Sequence, residues 1–188
     1  ALTLLRPLYE ACLDRMEAFL VELDASGAKH SPKKYEDFRA VLDRVAVDYM
    51  CYNEDMAMKT GPLLGPDLYR EFIFPHFKRL NEFFRSKGVR YILVDSDGDP
   101  TALIPLLMDG GMDCLWPLER ASNVDPVVLR RRFGRSLRLS GGVDKRVLIE
   151  GGDAIRRHLR TFIPLIEEGG FIPSVDHTVP PEVSWDNF

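Results

Sequence analysis

The chain runs Tyr91-Ile92-Leu93-Val94-Asp95-Ser96-Asp97-Gly98-Asp99-Pro100 across the boundary that decides its fold. The short apolar run at the start of this stretch predicts a fully buried β-strand. Asp99-Pro100 predicts the start of a helix, with Asp as the N-cap and Pro at the first helical position. A buried strand followed by acids and then a helix is typical of a parallel α/β protein, in which ligands bind at the carboxyl ends of the strands.

The same order of elements recurs along the chain, so the sequence predicts five parallel strands that alternate with helices. The predicted strands are Val45–Tyr52, Tyr91–Val94, Asp113–Leu118, Leu137–Ser140 and Phe171–Val175. The main predicted helices are 67–87, kinked at Pro75, then 101–109, one that starts at Asp125-Pro126 and closes at Gly134, and 153–168 with Ile155, Leu159, Phe162 and Ile166 facing inward.

Every predicted strand ends in polar residues, which favours a (β/α)8 barrel over an open sheet. No phosphate-type glycine loop follows the first strand, and this argues against a dinucleotide-binding fold. Five units are too few to close an eight-stranded barrel. The fold class that we predict is therefore α/β, a partial TIM barrel that corresponds to the last five-eighths of the complete one.

Composition limits the classes of function. The chain has 188 residues, 45% hydrophobic and 29% charged, with a net charge of −4. Such a chain offers no basic surface for nucleic acid or for anionic lipid, so a small-molecule substrate is expected. The three cysteines are far apart in sequence, which indicates free thiols in a reducing compartment, and we expect a cytoplasmic protein.

Residues 1–44 predict a helical segment that packs on the barrel portion formed by residues 45–188. Within it, residues 4–24 and 35–45 show apolar residues at helical spacing. Five strands leave two open sheet edges, so we expect Val47, Tyr49 and Cys51 to be unusually exposed. The isolated chain should be marginally stable or should associate, and a homodimer is one expected form.

The predicted strand ends gather many acids and one histidine. Asp95 and Asp97 lie two residues apart on an extended segment, so both can face the barrel axis. Two close carboxylates cannot both ionise freely, and either one pKa rises or a cation lies between them. Asp99 and Asp125 are better explained as N-caps. We predict that the catalytic residues are Asp95, Asp97, His177 and Glu54, and that the substrate-binding residues are Asn53, Asp55, Glu119, Asp144, Lys145 and Asp176.

Several of these motifs resemble the uroporphyrinogen decarboxylase superfamily, in order and in spacing. They are Asn53-Glu54-Asp55-Met56-Ala57, Gly61-Pro62-Leu63-Leu64, Phe72–Pro75, Asp95-Ser96-Asp97-Gly98, Pro117-Leu118-Glu119, Gly141-Gly142-Val143-Asp144-Lys145 and Ile172–His177. The resemblance extends from about Val45 to the end of the chain. It implies a (β/α)8 barrel and a reaction on a tetrapyrrole or on a corrinoid-linked methyl group. The superfamily includes decarboxylases of porphyrinogen acetates and zinc-dependent methyltransferases that work with corrinoid proteins.

The sequence departs from both branches of the superfamily. His177 matches the histidine near the decarboxylase C-terminus, but Gly141–Lys145 replaces the decarboxylase pattern Gly-Asn-Leu-Asp-Pro. Asp95 and Asp97 stand where the methyltransferases have the His and Cys of their zinc motif, which excludes a thiolate-zinc site there. The metal that remains open is a divalent cation held by Asp95, Asp97 and His177, and a corrinoid protein is the expected partner if the reaction is methyl transfer.

Three functions stay open at this point. The first is an enzyme of this superfamily, with decarboxylation and methyl transfer close to equal. The second is a metal-dependent barrel enzyme acting on another small substrate, and the third is a non-catalytic fragment. The acids favour a metal-bearing or methyl-transfer site, because they would repel a polycarboxylate substrate.

Overall fold

The computed structural model describes residues 39–188, which form one five-stranded parallel sheet with helices between the strands. These strands are neighbours in the sheet in the order in which they follow one another along the chain. Their bounds are β1 Tyr49–Asn53, β4 Tyr91–Asp95, β5 Cys114–Trp116, β6 Arg138–Val143 and β7 Phe171–Val175. Every pairing between them is parallel, which confirms the predicted α/β fold; no closed barrel is seen in residues 39–188.

The two faces of the sheet differ because side chains alternate along each strand. Tyr52, Val94, Leu115 and Leu139 are buried and belong to the main core. The ring of Tyr52 packs edge-on against Phe77 of a covering helix. Residues of the other face are only half-buried at most positions, as expected where further barrel strands would close over them.

Most helices of the structure lie where glycine and proline signals place them, but the start predicted at Asp99-Pro100 is wrong, because that helix begins at Ile104 with Leu103 as its N-cap. They are α1 Pro66–Leu68 and α2 Phe74–Ser86, joined by the π-helical turn Tyr69–Ile73, then α3 Ile104–Asp109, α4 Pro126–Phe133, α5 Lys145–Glu150, α6 Gly152–Arg160 and α7 Ile163–Glu168. Asp125 caps α4 by accepting hydrogen bonds from the N–H groups of Val127 and Val128, as predicted. The π-helical turn ends just before Pro75, which lacks the N–H that a regular helix needs at that point.

The structure corrects the helix predicted at 153–168. Two helices, α6 and α7, replace it, and Pro164 lies in the first turn of α7, where a missing N–H costs no hydrogen bond. The break changes which residues face inward. Leu159 and Ile166 are 41% and 48% exposed, whereas Phe162 and Leu165 are buried.

Other boundaries also differ from prediction. Strand β1 begins at Tyr49 rather than Val45, and β6 continues through Gly141 and Gly142 to Val143. A two-stranded antiparallel hairpin, β2 Ala57–Met58 with β3 Gly61–Pro62, was not predicted. Strands of two residues carry too short a pattern to be detected from sequence.

Among residues 39–188, β1 pairs only with β4 and β7 only with β6, so both ends of the sheet are open. Tyr49 on β1 is 55% exposed, and Val47 and Cys51 are half-buried. Residues 39–42 are helical, but the predicted helix 4–24 and most of the predicted 1–44 segment lie outside the described residues. None of the described helices combines the length and the apolar character needed to cross a membrane.

Candidate active site at the carboxyl ends of the strands

Three aspartates form an acidic cluster where β1 and β4 end. Side-chain oxygens of Asp55, Asp95 and Asp97 all lie within 4.8 Å of one another. Asn53 pairs with Asp95 in the sheet, and Asp55 and Asp97 follow these two residues at the same offset. The backbone N–H of Asp97 donates to Asp55 Oδ1 at 3.1 Å. The equal offset on neighbouring parallel strands therefore brings the three carboxylates together.

Asp95 differs electrostatically from an ordinary carboxylic acid. Burial, followed by the charges of Asp55 and Asp97, raises the pKa of Asp95 to about 7, and His177 opposes this rise. The Asp95 carboxyl therefore keeps its proton to a higher pH than an ordinary aspartic acid does. This agrees with the prediction that two nearby carboxylates cannot both ionise freely.

His177 belongs to the same site, although it is 80 residues away from Asp97 in the chain. Its Nε2 lies 3.1 Å from Asp97 Oδ2, and both side chains are partly open to solvent. His177 directly follows Asp176 at the end of β7, so the last strand of the sheet delivers it to the acidic cluster. An imidazole in contact with a carboxylate can act as a general acid or a general base.

Glu54 lies beside the acidic cluster but faces a different environment. Its N–H donates to the Asp95 carbonyl at 2.7 Å, and the hydroxyl of the fully buried Tyr69 donates to its Oε1 at 3.3 Å. Burial and, to a lesser extent, Asp55 raise the pKa of Glu54 to about 7, against the opposing effect of the Tyr69 hydrogen bond. Glu54 is therefore a second carboxyl that titrates near neutral pH.

Glu119 follows β5 and is held by several donors. Its Oε2 accepts hydrogen bonds from the Gly98 N–H and the Ser122 hydroxyl, both at 3.0 Å, and its Oε1 lies 3.7 Å from Lys145 Nζ. Burial opposes ionisation, but these partners outweigh it and lower the pKa of Glu119. The Glu119 side chain thereby fixes the loop that carries Asp97.

Gly98 has a steric reason to be glycine. Its φ is +74°, and an added Cβ would lie 2.6 Å from the carbonyl oxygen of Ala57 in the β2–β3 hairpin. The next residue, Asp99, donates its N–H to the Met58 carbonyl at 2.9 Å. The hairpin thus packs backbone to backbone on the loop of the acidic cluster. Asp99 also accepts from the Thr101 N–H, which stabilises the turn before α3.

Asp176 has no exposed surface. Its Oδ2 accepts from the Arg120 N–H at 2.8 Å and its Oδ1 from the Lys145 N–H at 3.0 Å. Asp176 also donates its own N–H to the Val143 carbonyl. One buried carboxylate therefore connects the segments that follow β5, β6 and β7.

Asp144 is the N-cap of α5. Its side chain accepts from the Arg146 N–H at 2.9 Å and pairs with the Arg146 guanidinium. These contacts lower the pKa of Asp144 in spite of its burial. The Asp144 N–H donates to His158 Nε2 at 3.0 Å, so the ring nitrogen of a helix residue also supports this turn.

Several residues of the site were missed by the sequence analysis. Asp55 was expected to bind substrate, and its place in the acidic cluster could have been found from the matching offsets after β1 and β4. Tyr69 and His158 carried no sequence signal, because each lies on an element that comes near the site only through tertiary packing. Ser122 lies three residues after Glu119, and that short spacing could have identified it as a partner of the Glu119 carboxylate. Trp116, which pairs with Asp95 in the sheet, also borders the site.

The donor set can be compared with the needs of a metal ion. The thiols of Cys51 and Cys114 are poor ligands, because burial raises their pKa values to about 11 and about 12 and keeps them protonated. The acidic cluster instead offers oxygen ligands, which suit harder divalent cations such as Mg²⁺ and Mn²⁺. These residues fit a divalent cation and do not fit thiolate-bound zinc.

The chain also matches a known protein family. The family model described as uroporphyrinogen decarboxylase (URO-D) matches residues 41–188. The chain belongs to the uroporphyrinogen decarboxylase family. The resemblance expected from the sequence motifs is thus confirmed, and family membership supports a decarboxylase or a methyltransferase-like enzyme. No curated protein matches the chain.

Proposed function

We propose that this uroporphyrinogen decarboxylase family member catalyses methyl transfer between a small methylated donor and a corrinoid carrier. The observation that carries the proposal is the acidic cluster, whose side-chain oxygens lie within 4.8 Å of one another. Among residues 39–188, no Lys or Arg forms an ion pair with Asp55, Asp95 or Asp97. A divalent cation would supply the missing positive charge.

Substrate charge supports methyl transfer over decarboxylation. At an effective dielectric of about 20, two like charges 4 Å apart repel by roughly 4 kcal/mol. A porphyrinogen carries several carboxylates and would meet this repulsion at the acidic cluster. A neutral methyl donor would not.

The chemistry can be assigned to the residues of the chain. Methyl transfer breaks the bond between the methyl carbon and a heteroatom of the donor, and the reduced corrinoid supplies the electron pair of the new bond. The heteroatom keeps its bonding pair and takes up a proton. We assign that proton to His177, which contacts Asp97 at 3.1 Å.

The acidic cluster would hold the cation through one or more oxygens of each carboxylate. Asp97 contacts His177 through Oδ2, which leaves its other oxygen for a second partner. A bound divalent cation would supply Lewis acidity toward an oxygen or sulfur atom of the substrate. The segments after β5, β6 and β7 would hold the loop and His177 in place.

Decarboxylation is the second candidate, and the pKa of Asp95 favours it. When a porphyrinogen acetate loses CO₂, the carbon left behind takes up a proton. An Asp95 carboxyl with a pKa of about 7 is a suitable proton donor, provided that no cation occupies the cluster. The two candidates therefore make opposite demands on Asp95, ionised in one and protonated in the other.

One experiment separates the two. The full-length protein is analysed for bound metal and is then incubated with reduced corrinoid and with methanol, methylamines or methoxylated aromatics. Methylcorrinoid should form, as followed by absorbance, and a chelator should abolish its formation. Loss of porphyrinogen carboxyl groups by a metal-free enzyme, with no methylcorrinoid formed, would replace our proposal with decarboxylation.

A further inference from the structure

The buried Asp176 carboxylate is not placed to bind a substrate. It is 0% exposed, and each of its oxygens accepts a hydrogen bond from a backbone N–H. The sequence suggested substrate binding because Asp176 follows β7 and precedes His177. Burial leaves neither oxygen open to a ligand.

The two donors to Asp176 belong to different parts of the site. Arg120 follows Glu119, whose carboxylate accepts from the Gly98 N–H and so holds the loop that contains Asp97. Lys145 places its Nζ 3.7 Å from Glu119 Oε1. Asp176 therefore holds, through hydrogen bonds, the backbone next to Glu119 and the backbone of Lys145.

These contacts form a closed ring. From Asp176 the ring passes through the Arg120 N–H to Glu119, and from Glu119 to Gly98 and the adjacent Asp97. Asp97 Oδ2 then contacts His177 Nε2, and His177 is bonded in sequence to Asp176. The ring joins the segments after β4, β5 and β7, and the Lys145 N–H attaches the segment after β6 to it through Asp176.

We propose that Asp176 is a positioning residue, which sets His177 against Asp97 by holding the segments that follow β5 and β6. The proposal rests on the proposed function, because it assumes that the Asp97–His177 contact takes part in the reaction. Asp176 itself touches neither substrate nor cation.

A carboxylate is the side chain that this position requires. Two backbone N–H groups converge on it from different segments, and each needs an acceptor when buried. An aspartate supplies two acceptor oxygens, and hydrogen bonds to a charged group are stronger than those between neutral groups. Asparagine has the same shape but would turn its NH₂ toward one of the two donors. That change removes one hydrogen bond without creating a cavity.

The test compares Asp176→Asn with the unchanged full-length protein by hydrogen–deuterium exchange. Exchange should accelerate by about 10-fold or more at Arg120 or at Lys145, whichever N–H loses its acceptor, since a buried hydrogen bond to a charged group is lost there. The decisive segment is 96–98, which forms no hydrogen bond with Asp176. Positioning through Glu119 predicts faster exchange there as well, with α2 unchanged.

The matched control is Asp153→Asn. Asp153 is an exposed aspartate on α6 that pairs with Arg156 and has no contact with the site. In the Asp153→Asn variant, exchange in all site segments should equal that of the unchanged protein.

The methyl-transfer assay gives a second measurement. There Asp176→Asn should lower kcat about 10-fold or more and keep KM within about threefold of that of the unchanged protein, as expected when the reacting groups are misplaced rather than removed.

Two results would overturn the proposal. Faster exchange confined to Arg120 and Lys145, with 96–98 unchanged, would make Asp176 a local fastening only. A uniform increase that includes α2 would make its role one of global stability. If Asp176→Asn does not fold, Ser122→Ala decides instead, because it removes one hydrogen bond from Glu119 and leaves every carboxylate in place. Exchange at 96–98 should then rise, and an unchanged rate would contradict the ring.

Failure of the proposed function gives a different result. The exchange measurement needs neither substrate nor metal. A protein that binds no cation and forms no methylcorrinoid, but whose 96–98 segment responds to Asp176→Asn, would contradict methyl transfer and leave the positioning role intact.

Discussion

The carboxylates that follow β5, β6 and β7 differ in their hydrogen bonding from those that follow β1 and β4. After β5, β6 and β7, the side chains of Glu119, Asp144 and Asp176 accept hydrogen bonds from backbone N–H groups. After β1 and β4, the acidic cluster has few donors, and the pKa values of Asp95 and Glu54 rise to about 7. The same residue types at the same topological level therefore divide into a supporting set, Glu119, Asp144 and Asp176, and a set that we propose is reactive, the acidic cluster with Glu54.

The comparison explains why position at a strand end does not by itself assign a role. A carboxylate whose oxygens are filled by backbone donors has little capacity left for a substrate or a cation. A carboxylate that faces other carboxylates keeps that capacity, but like-charge repulsion destabilises its ionised form.

Four changes test this division, in order of decreasing effect.

Asp97→Asn in the reactive set should give the largest effect. We expect kcat to fall by about 10²- to 10⁴-fold, because the change removes the charged partner of His177 and one ligand of the acidic cluster. The midpoint temperature of thermal unfolding should be unchanged or slightly higher, since the substitution relieves like-charge repulsion in the acidic cluster. Activity within about threefold of the unchanged protein would remove Asp97 from the mechanism; Asp153→Asn is the control for both measurements.

Asp176→Ala in the supporting set should mainly affect stability. Two buried N–H donors lose their acceptor, at about 1–3 kcal/mol each, so the free energy of unfolding should fall by about 2–6 kcal/mol. Urea unfolding of the full-length protein measures this. Asp55→Ala, in the reactive set, is the comparison and should change stability by less than about 1 kcal/mol. Equal losses in both variants would break the division.

The raised pKa of Glu54 predicts a pH dependence of stability. The folded protein binds this proton more tightly than the unfolded chain, so the stabilising contribution is complete below pH 4.5 and is lost as the pH rises through about 7. The loss should be on the order of 3 kcal/mol. Asp95 acts in the same direction, with a smaller effect because solvent screens it.

Urea unfolding between pH 4.5 and 8, with a chelator present, tests this dependence. Glu54→Gln should flatten the slope, since glutamine does not titrate. A wild-type slope that persists in Glu54→Gln would assign the titration to other groups. Glu119→Gln is the comparison, because the pKa of Glu119 is lowered and its effect belongs to more acidic pH.

Cation binding should give the smallest effect. At a Mn²⁺ concentration about fivefold above the dissociation constant, binding to the folded state adds roughly 1 kcal/mol of stability. Asp55→Asn should abolish the shift in the unfolding midpoint, because Asp55 belongs to the acidic cluster. Asp144→Asn should retain it, since that carboxylate pairs with Arg146. A shift that is equal in both variants would place the cation elsewhere.

The fold could largely be predicted from sequence because its signals are local. The apolar run at Tyr91–Val94 and the Asp125-Pro126 cap each act within a few residues, and both lie in the structure where they were predicted. The single helix predicted at 153–168 was wrong, and the cause is also local. The apolar residues keep a helical spacing across Thr161 and Phe162, but one helix ends before these residues and another begins after them. Leu159 and Ile166 are therefore exposed.

The local sequence places acids and a histidine after the strands, since each lies directly after an apolar run. Which of them accept backbone hydrogen bonds and which face other carboxylates follows only from the packing of the strands. Asp176 receives its donor from Arg120, 56 residues away, and Asp97 meets His177 across 80 residues. The proton affinity of a carboxylate depends on the donors and charges around it in space, and parallel strand packing brings these together from distant segments.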